Sequence, residues 1–502
     1  MNWRNSIAAD RREPNRSKGV FKMVNKRSLL KNIFLCAAIG MITALSMSFP
    51  AAADDDPYSS SGSPGVPAQA AITKIFKIPI NTPIPAIDFE FVFEKSGIDN
   101  YDGVTITDKM PEIPPVTISF DASDEAVFIE GDTMYLVKQS DSFITDEMIG
   151  ETWWKNGEGV YKYTLRENMP GSADQDGITT ITPGKAWAAY SQAVYDVEIW
   201  VEENEEGILY PKFVAVIIVE NFEDEYYFDT ESDETNADEG KVNPAPGTGE
   251  TPENPSEIEK NYTSLIFTNK YWRTDGGGLN NPEESALEII KKIEGLGADL
   301  TDQFEFIVTV ARPGVVPAVS STQTYKAVVL DATGNNVTAD TDYTPLVDGV
   351  NGKYIEIESG AELKINLSHD QRLVFVNLLI GSNVEAKEEI SGEYRSSYLR
   401  TFAVPEGFTG YNDEIEIIDD KEYLGFPGNS KDEGPHYVDN KEDEKENKAI
   451  FNNRRTNATP MGISVDDLPY IMMIGIAVIC LIFFAAIKTR KKAERGHETY
   501  QQ

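Results

Sequence analysis

The sequence predicts an all-β protein: two β-sandwich domains with disordered acidic insertions, an N-terminal signal peptide and a C-terminal transmembrane helix. Three observations carry this expectation. Short segments such as Ile87–Glu94 (IDFEFVFE), Val160–Glu167 (VYKYTLRE) and Ala193–Glu203 alternate apolar with polar residues, and period two gives a strand one apolar face. Pro, Gly, Asn and Asp punctuate the gaps between such segments, as expected of sandwiches built from short strands. The chain of 502 residues is long enough for two or three domains.

The two ends have opposite characters. Met23–Asn32 is basic, the apolar run from Ile33 to Phe49 follows, and Ala51–Ala53 supplies small residues for cleavage before Asp54. Residues 1–53 are therefore read as an N-terminal extension and signal peptide, with Met23 the expected initiator. A signal-anchor helix is the competing reading, opposed by the short apolar run and by Pro50. Tyr470–Ile487 is uncharged and long enough to span a bilayer, and Lys488–Arg495 is basic. The positive-inside rule then places the tail in the cytoplasm and residues 54–468 outside. Cys36 falls in the signal and Cys480 in the span, so the exported part has no cysteine to form a disulfide.

Lys and Arg number 45 against 83 Asp and Glu, a formal net charge of -38. Phosphate binding needs a basic surface, so a nucleic-acid partner is excluded. His369 and His436 lie in different segments, and no phosphate loop, zinc-ligand cluster or nucleophile elbow is present. No cofactor and no enzymatic turnover are expected.

Along the chain, residues 54–70 read as a disordered tail rich in Ser, Pro and Gly. Residues 71–272 form the first sandwich, interrupted at 222–258 by an acidic, Pro-rich insertion read as disordered. Residues 273–285 read as a linker. Residues 286–455 form the second sandwich, with an acidic linker at 412–447. Leu287–Glu294 (LEIIKKIE) is a strand candidate, although its local propensity suits a helix equally well. Residues 456–502 hold a degenerate sorting signal, the span and the basic tail.

One order of residues occurs twice. The first domain opens with Lys74, continues to Glu167, and closes with IFTN at Asn269. The second opens with Lys291, continues to Glu388, and closes with IFNN at Asn453. Glu167 keeps the period of Tyr163 and Leu165, and Glu388 that of Val384 and Ala386. Lys74 alternates with Ile72 and Phe76. Each set shares one face, and if that face is the core, the charged groups are buried. In the second domain Lys292, Glu389 and Asn452 compete with Lys291, Glu388 and Asn453.

On these residues the first domain resembles the streptococcal-type pilin isopeptide-linkage domain. The likeness is carried by ITKIFKIP, TPIPAIDFEFVFE, YKYTLRE, the strand pair around YDVEIWVEE and LYPKFVAVII, and FTNKY. The second domain resembles a related β-sandwich repeat of Gram-positive surface proteins through LEIIKKIEG, DQFEFIVTV, NVEAKEE and IFNN. The resemblance implies immunoglobulin-like sandwiches. It also implies intramolecular isopeptide bonds from Lys74 to Asn269 and from Lys291 to Asn453, promoted by Glu167 and Glu388. The chemistry is coherent: burial disfavours charge, leaving the amine nucleophilic and the carboxyl protonated. The carboxyl can then polarise the carboxamide and carry protons as ammonia leaves.

The stretch Ala458–Ile463 (ATPMGI) is similar to a pilin-type sorting motif, with Thr459, Pro460, Met461 and Gly462 in its positions; Thr459 replaces Val and Met461 replaces Thr. The resemblance implies sortase and other pilin subunits as partners, and attachment to the membrane or cell wall. Tyr210–Lys212 is similar to the pilin motif whose lysine accepts the next subunit, but it lies in a strand signal and lacks the following Asn. The expected role is structural: a Gram-positive cell-surface, pilin-like subunit or stalk. The alternative is an adhesin that binds a host or matrix ligand.

Overall fold

The structure, a computed structural model, describes residues 59–99, 105–106, 110–220, 240–317, 324–389, 394–401, 415–416, 423–426, 437–439, 447–455 and 468–498. The expected signal peptide at 1–53 and the sorting motif Thr459–Gly462 lie outside the described residues.

The first sandwich contains β1 (Ser59–Ser61), β2 (Thr73–Pro79), β3 (Ile87–Asp99), β4 (Val116–Phe120), β5 (Thr133–Gln139), β6 (Gly159–Glu167), β7 (Ala186–Ala189), β8 (Val194–Glu203), β9 (Leu209–Glu220) and β10 (Ile266–Asp275). One sheet runs β1-β9-β8-β6-β3, with β4 also on β3. The other runs β7-β10-β2-β5. Their apolar faces share one core, in which Phe76, Leu136 and Phe267 meet Phe89, Tyr163, Val197 and Val214. The alternation read in the sequence is the cause: Tyr195, Val197, Ile199 and Val201 are buried while the residues between them are partly exposed.

The second sandwich contains β11 (Leu287–Glu294), β12 (Phe304–Ala311), β13 (Thr324–Leu330), β14 (Gly352–Glu358), β15 (Glu362–Leu367), β16 (Arg372–Leu379), β17 (Asn383–Glu389), β18 (Tyr394–Thr401) and β19 (Lys448–Arg455). One sheet runs β14-β13-β16-β11-β19-β18, the other β15-β12-β17. Leu287–Glu294 is a strand despite its helical propensity, because β16 and β19 pair with it on both sides.

Among the described residues two ladders are parallel, β2 with β10 and β11 with β19. Each joins the opening strand of a sandwich to its closing strand. The two sandwiches also share a sheet, since Thr274 and Asp275 of β10 pair with Leu379 and Leu378 of β16. Successive residues of β10 face different interiors: Tyr271 packs in the first core and Trp272 in the second, where it stacks on Trp187.

Four segments differ from the sequence expectation. Part of the 54–70 tail is ordered: β1 pairs with Phe213–Ala215, and Ala68 and Ala70 are fully buried. Within 222–258, Lys241–Val242 pairs with β9 and Ile258 is buried, while residues 222–239 lie outside the described residues. Arg273–Asp275, expected in the linker, continue β10. Within 412–447, Tyr423–Phe426 pairs with β17 and Ile415–Glu416 pairs with β18. In each case a polar sequence is ordered by the backbone hydrogen bonds of a neighbouring strand, which composition alone does not reveal.

Helix α1 (Leu468–Glu498) contains a stretch, Met472–Arg490, long and apolar enough to cross a membrane.

Candidate functional site

The parallel ladders set the geometry. Lys74 stands opposite Phe267 and Phe76 opposite Asn269; likewise Lys291 stands opposite Phe451 and Ile293 opposite Asn453. The register is the same in both sandwiches, with each Asn two residues beyond the Lys. Period two then turns Lys and Asn to the same face, toward the core. On the facing sheet, Glu167 stands opposite Phe91 and Glu388 opposite Phe306.

In the first sandwich the three groups converge. Lys74 and Asn269 are fully buried, and Glu167 is 2% exposed. Lys74 Nζ lies 3.0 and 3.1 Å from the two Glu167 oxygens and donates to Asn269 Oδ1 at 2.6 Å. Asn269 Nδ2 donates to Glu167 Oε1 at 2.8 Å. The backbone N–H of Ser191 completes the cluster, donating to Asn269 Oδ1 at 2.8 Å and to Glu167 Oε2 at 3.0 Å. It reaches them because β7 leaves its ladder at Ala189, opposite Lys270, so the next residues are free to turn inward.

The second sandwich brings the equivalent three residues together through Glu388, without a hydrogen bond from Lys291 to Asn453 Oδ1. Lys291, Glu388 and Asn453 are fully buried. Lys291 Nζ is 2.6 Å from Glu388 Oε1, and Asn453 Nδ2 donates to the same oxygen at 2.9 Å. The competing residues lie elsewhere: Lys292 is half-exposed and paired with Asp370, Glu389 is exposed, and Asn452 is on the opposite face of β19 from Asn453.

Burial governs the protonation of these groups. Desolvation pushes the Glu167 carboxyl up against the lowering influence of Lys74, Asn269 and the Ser191 N–H. It likewise pushes Glu388 up against the pull of Lys291 and Asn453. Desolvation lowers Lys291 to about 8, with Glu388 opposing. A buried lysine beside a buried carboxyl therefore tends toward neutral amine and protonated acid, the pair needed for acyl transfer to nitrogen.

Three Phe side chains pack at each site, and two of them, Phe89 and Phe91 in the first and Phe304 and Phe306 in the second, escaped the sequence reading. Lys74 Nζ sits 4.4 Å from the Phe89 ring centre and Lys291 Nζ 4.3 Å from that of Phe304. Phe89 and Phe304 each precede by two residues the Phe that faces the Glu. Phe267 packs on Phe91 and Phe451 on Phe306, with ring centres 4.7 and 5.1 Å apart. The Phe-x-Phe repeats at 89–91 and 304–306 are the signal that could have revealed them. No sequence signal marks the Ser191 N–H, since any residue carries that group.

Lys212 of the Tyr-Pro-Lys stretch is held by Glu202 at 2.8 and 2.9 Å. It lies in β9, between β1 and β8.

A family model described as a domain of unknown function (DUF7601) matches residues 285–421. No curated protein matches the chain. Among solved structures, the chain is similar to the major pilin of Streptococcus pyogenes, at 16% identity over 77% of this chain and 99% of that one, TM-score 0.25. It is similar to the major pilin protein T-13 of the same species at 14% identity, over 80% and 100% of the two chains, TM-score 0.24. A pilus-presented adhesin (Cpa) is similar at 11% identity over 77% and 100%, TM-score 0.21.

Proposed function

We propose that the chain is a pilin-like structural protein of the cell surface, each sandwich locked by an isopeptide bond that it forms on itself. The observation that carries this reading is the buried contact of Lys74 Nζ, 2.6 Å from Asn269 Oδ1 with Glu167 touching both residues. A solvated, ordinary strand lysine has no reason to be buried with an acid and an amide in contact, and the trio recurs at Lys291, Glu388 and Asn453.

The step balances without any cofactor. Neutral Nζ attacks Cγ of the asparagine, forming the N–C bond. The glutamic acid hydrogen-bonds the amide and gives a proton to Nδ2, then recovers one from Nζ. The Cγ–Nδ2 bond breaks and ammonia leaves. Contact between the groups replaces a bimolecular encounter. The reaction happens once per site, so it is maturation of the chain rather than enzymatic turnover. A covalent tie between opening and closing strands suits an exported protein without disulfides, and α1 suits a membrane anchor. Association with sortase and other subunits belongs to the same reading.

Digestion of the mature protein and sequencing of its linked peptides tests the proposal. A branched peptide joining Lys74 to Asn269 supports it; separate unmodified peptides from both strands refute it.

A further inference from the structure

The two sites differ in the donors to the amide oxygen: Asn269 Oδ1 accepts from Lys74 Nζ and from the Ser191 N–H, whereas Asn453 Oδ1 accepts from neither equivalent group. In the first, the Ser191 N–H points at Asn269 Oδ1, where negative charge develops as the amine attacks. A fixed donor at that position stabilises the tetrahedral intermediate. In the second site the flanking strand β18 stays in its ladder from Tyr394 opposite Arg455 to Thr401 opposite Lys448. Its main chain does not turn inward beside Asn453.

A side chain stands there instead. Ser396 is directly opposite Asn453 in the antiparallel β18–β19 ladder. Side chains of directly opposed residues share a face and begin about 5 Å apart at Cβ. Ser396 is 3% exposed and Asn453 fully buried. Among the described residues Ser396 Oγ, Asn453 Oδ1 and Glu388 Oε2 have no hydrogen-bond partner. Buried polar atoms are nearly always satisfied, so orphans gathered around one reactive amide call for an explanation.

We propose that Ser396 is a catalytic residue of the second site, its hydroxyl donating to Asn453 Oδ1 during bond formation. The assignment rests on the isopeptide reading above. Rotation between staggered χ1 positions moves the hydroxyl without moving the strand. As Lys291 Nζ bonds to Asn453 Cγ, the carbonyl electron pair shifts onto Oδ1 and Ser396 stabilises it. The pair returns as the Cγ–Nδ2 bond breaks, Glu388 supplies the proton for departing ammonia and takes one from Nζ, and Ser396 keeps its own.

The isosteric pair Ser396→Thr and Ser396→Val separates chemistry from packing. Full-length chain is pulse-labelled and digested at intervals, and the Lys291–Asn453 linked peptide is measured, with the Lys74–Asn269 peptide from the same molecules as the reference. The Thr variant is expected to form the second bond at the unsubstituted rate and the Val variant about 100-fold more slowly, with the first bond unchanged in both. Equal rates for Thr and Val overturn the role of Ser396, as does an unsubstituted chain that forms only the first bond. An unsubstituted chain that forms neither bond overturns the isopeptide reading itself.

Discussion

Lys74 Nζ lies 2.6 Å from Asn269 Oδ1 although 195 residues separate them in the chain. The parallel ladder between β2 and β10 brings them together, and a bond there closes almost the whole first sandwich into a loop. By analogy with disulfides, constraining the unfolded chain over that length is worth roughly 5 kcal/mol. Asn269→Ala is therefore expected to lower the unfolding free energy of the first sandwich by at least this amount. Guanidinium unfolding checks it, and a reductant is expected to leave the unsubstituted protein unaffected.

On the proposed reading, burial in the second site selects which of its neighbouring residues would react. Lys291, Glu388 and Asn453 point into the core, whereas Lys292, Glu389 and Asn452 do not. Lys291→Ala and Glu388→Ala are expected to abolish the second bond. Lys292→Ala, Glu389→Ala and Asn452→Ala are expected to retain it. Peptide mapping distinguishes the two groups.

The rate of the second bond should depend on pH in a defined direction. Burial pushes Glu388 up and Lys291 down to about 8. The reactive arrangement, neutral amine beside protonated acid, holds one proton between the two groups, as the ion pair does. Its share is constant while that one proton remains. Above about 8 the proton is lost and Glu388 no longer serves as an acid. Bond formation in newly made, still unlinked chain folded at set pH is expected to be level through neutral pH and to fall at alkaline pH. A rate that climbs steadily into alkali would mean that amine deprotonation alone is limiting.

Trp272 lies on a strand of the first sandwich yet packs in the second core. Trp272→Ala is expected to cost the second sandwich about 3–5 kcal/mol, the usual range for truncating a buried Trp. Denaturant unfolding followed by hydrogen exchange in β11 and β16 measures it.

Much of this arrangement was legible in the sequence because strands have period two. That period placed Lys74 with Ile72 and Phe76, and Glu167 with Tyr163 and Leu165, on faces that the structure buries. The sequence left Lys292 beside Lys291 as a candidate; the structure decides by burying Lys291 on the face of Leu287, Ile289 and Ile293 while Lys292 stays partly exposed. The Ser191 donor was invisible because it is a main-chain group. The ordered parts of the acidic segments were missed because edge pairing depends on a neighbour's free backbone groups, not on local composition.

The most direct test of the account is the denatured intact mass of residues 54–455, beside the Glu167→Ala and Glu388→Ala variants. A deficit of two ammonia molecules is expected in the unsubstituted protein, one of them restored in each variant. A full unmodified mass would contradict it, leaving both trios as buried ion pairs that do no chemistry.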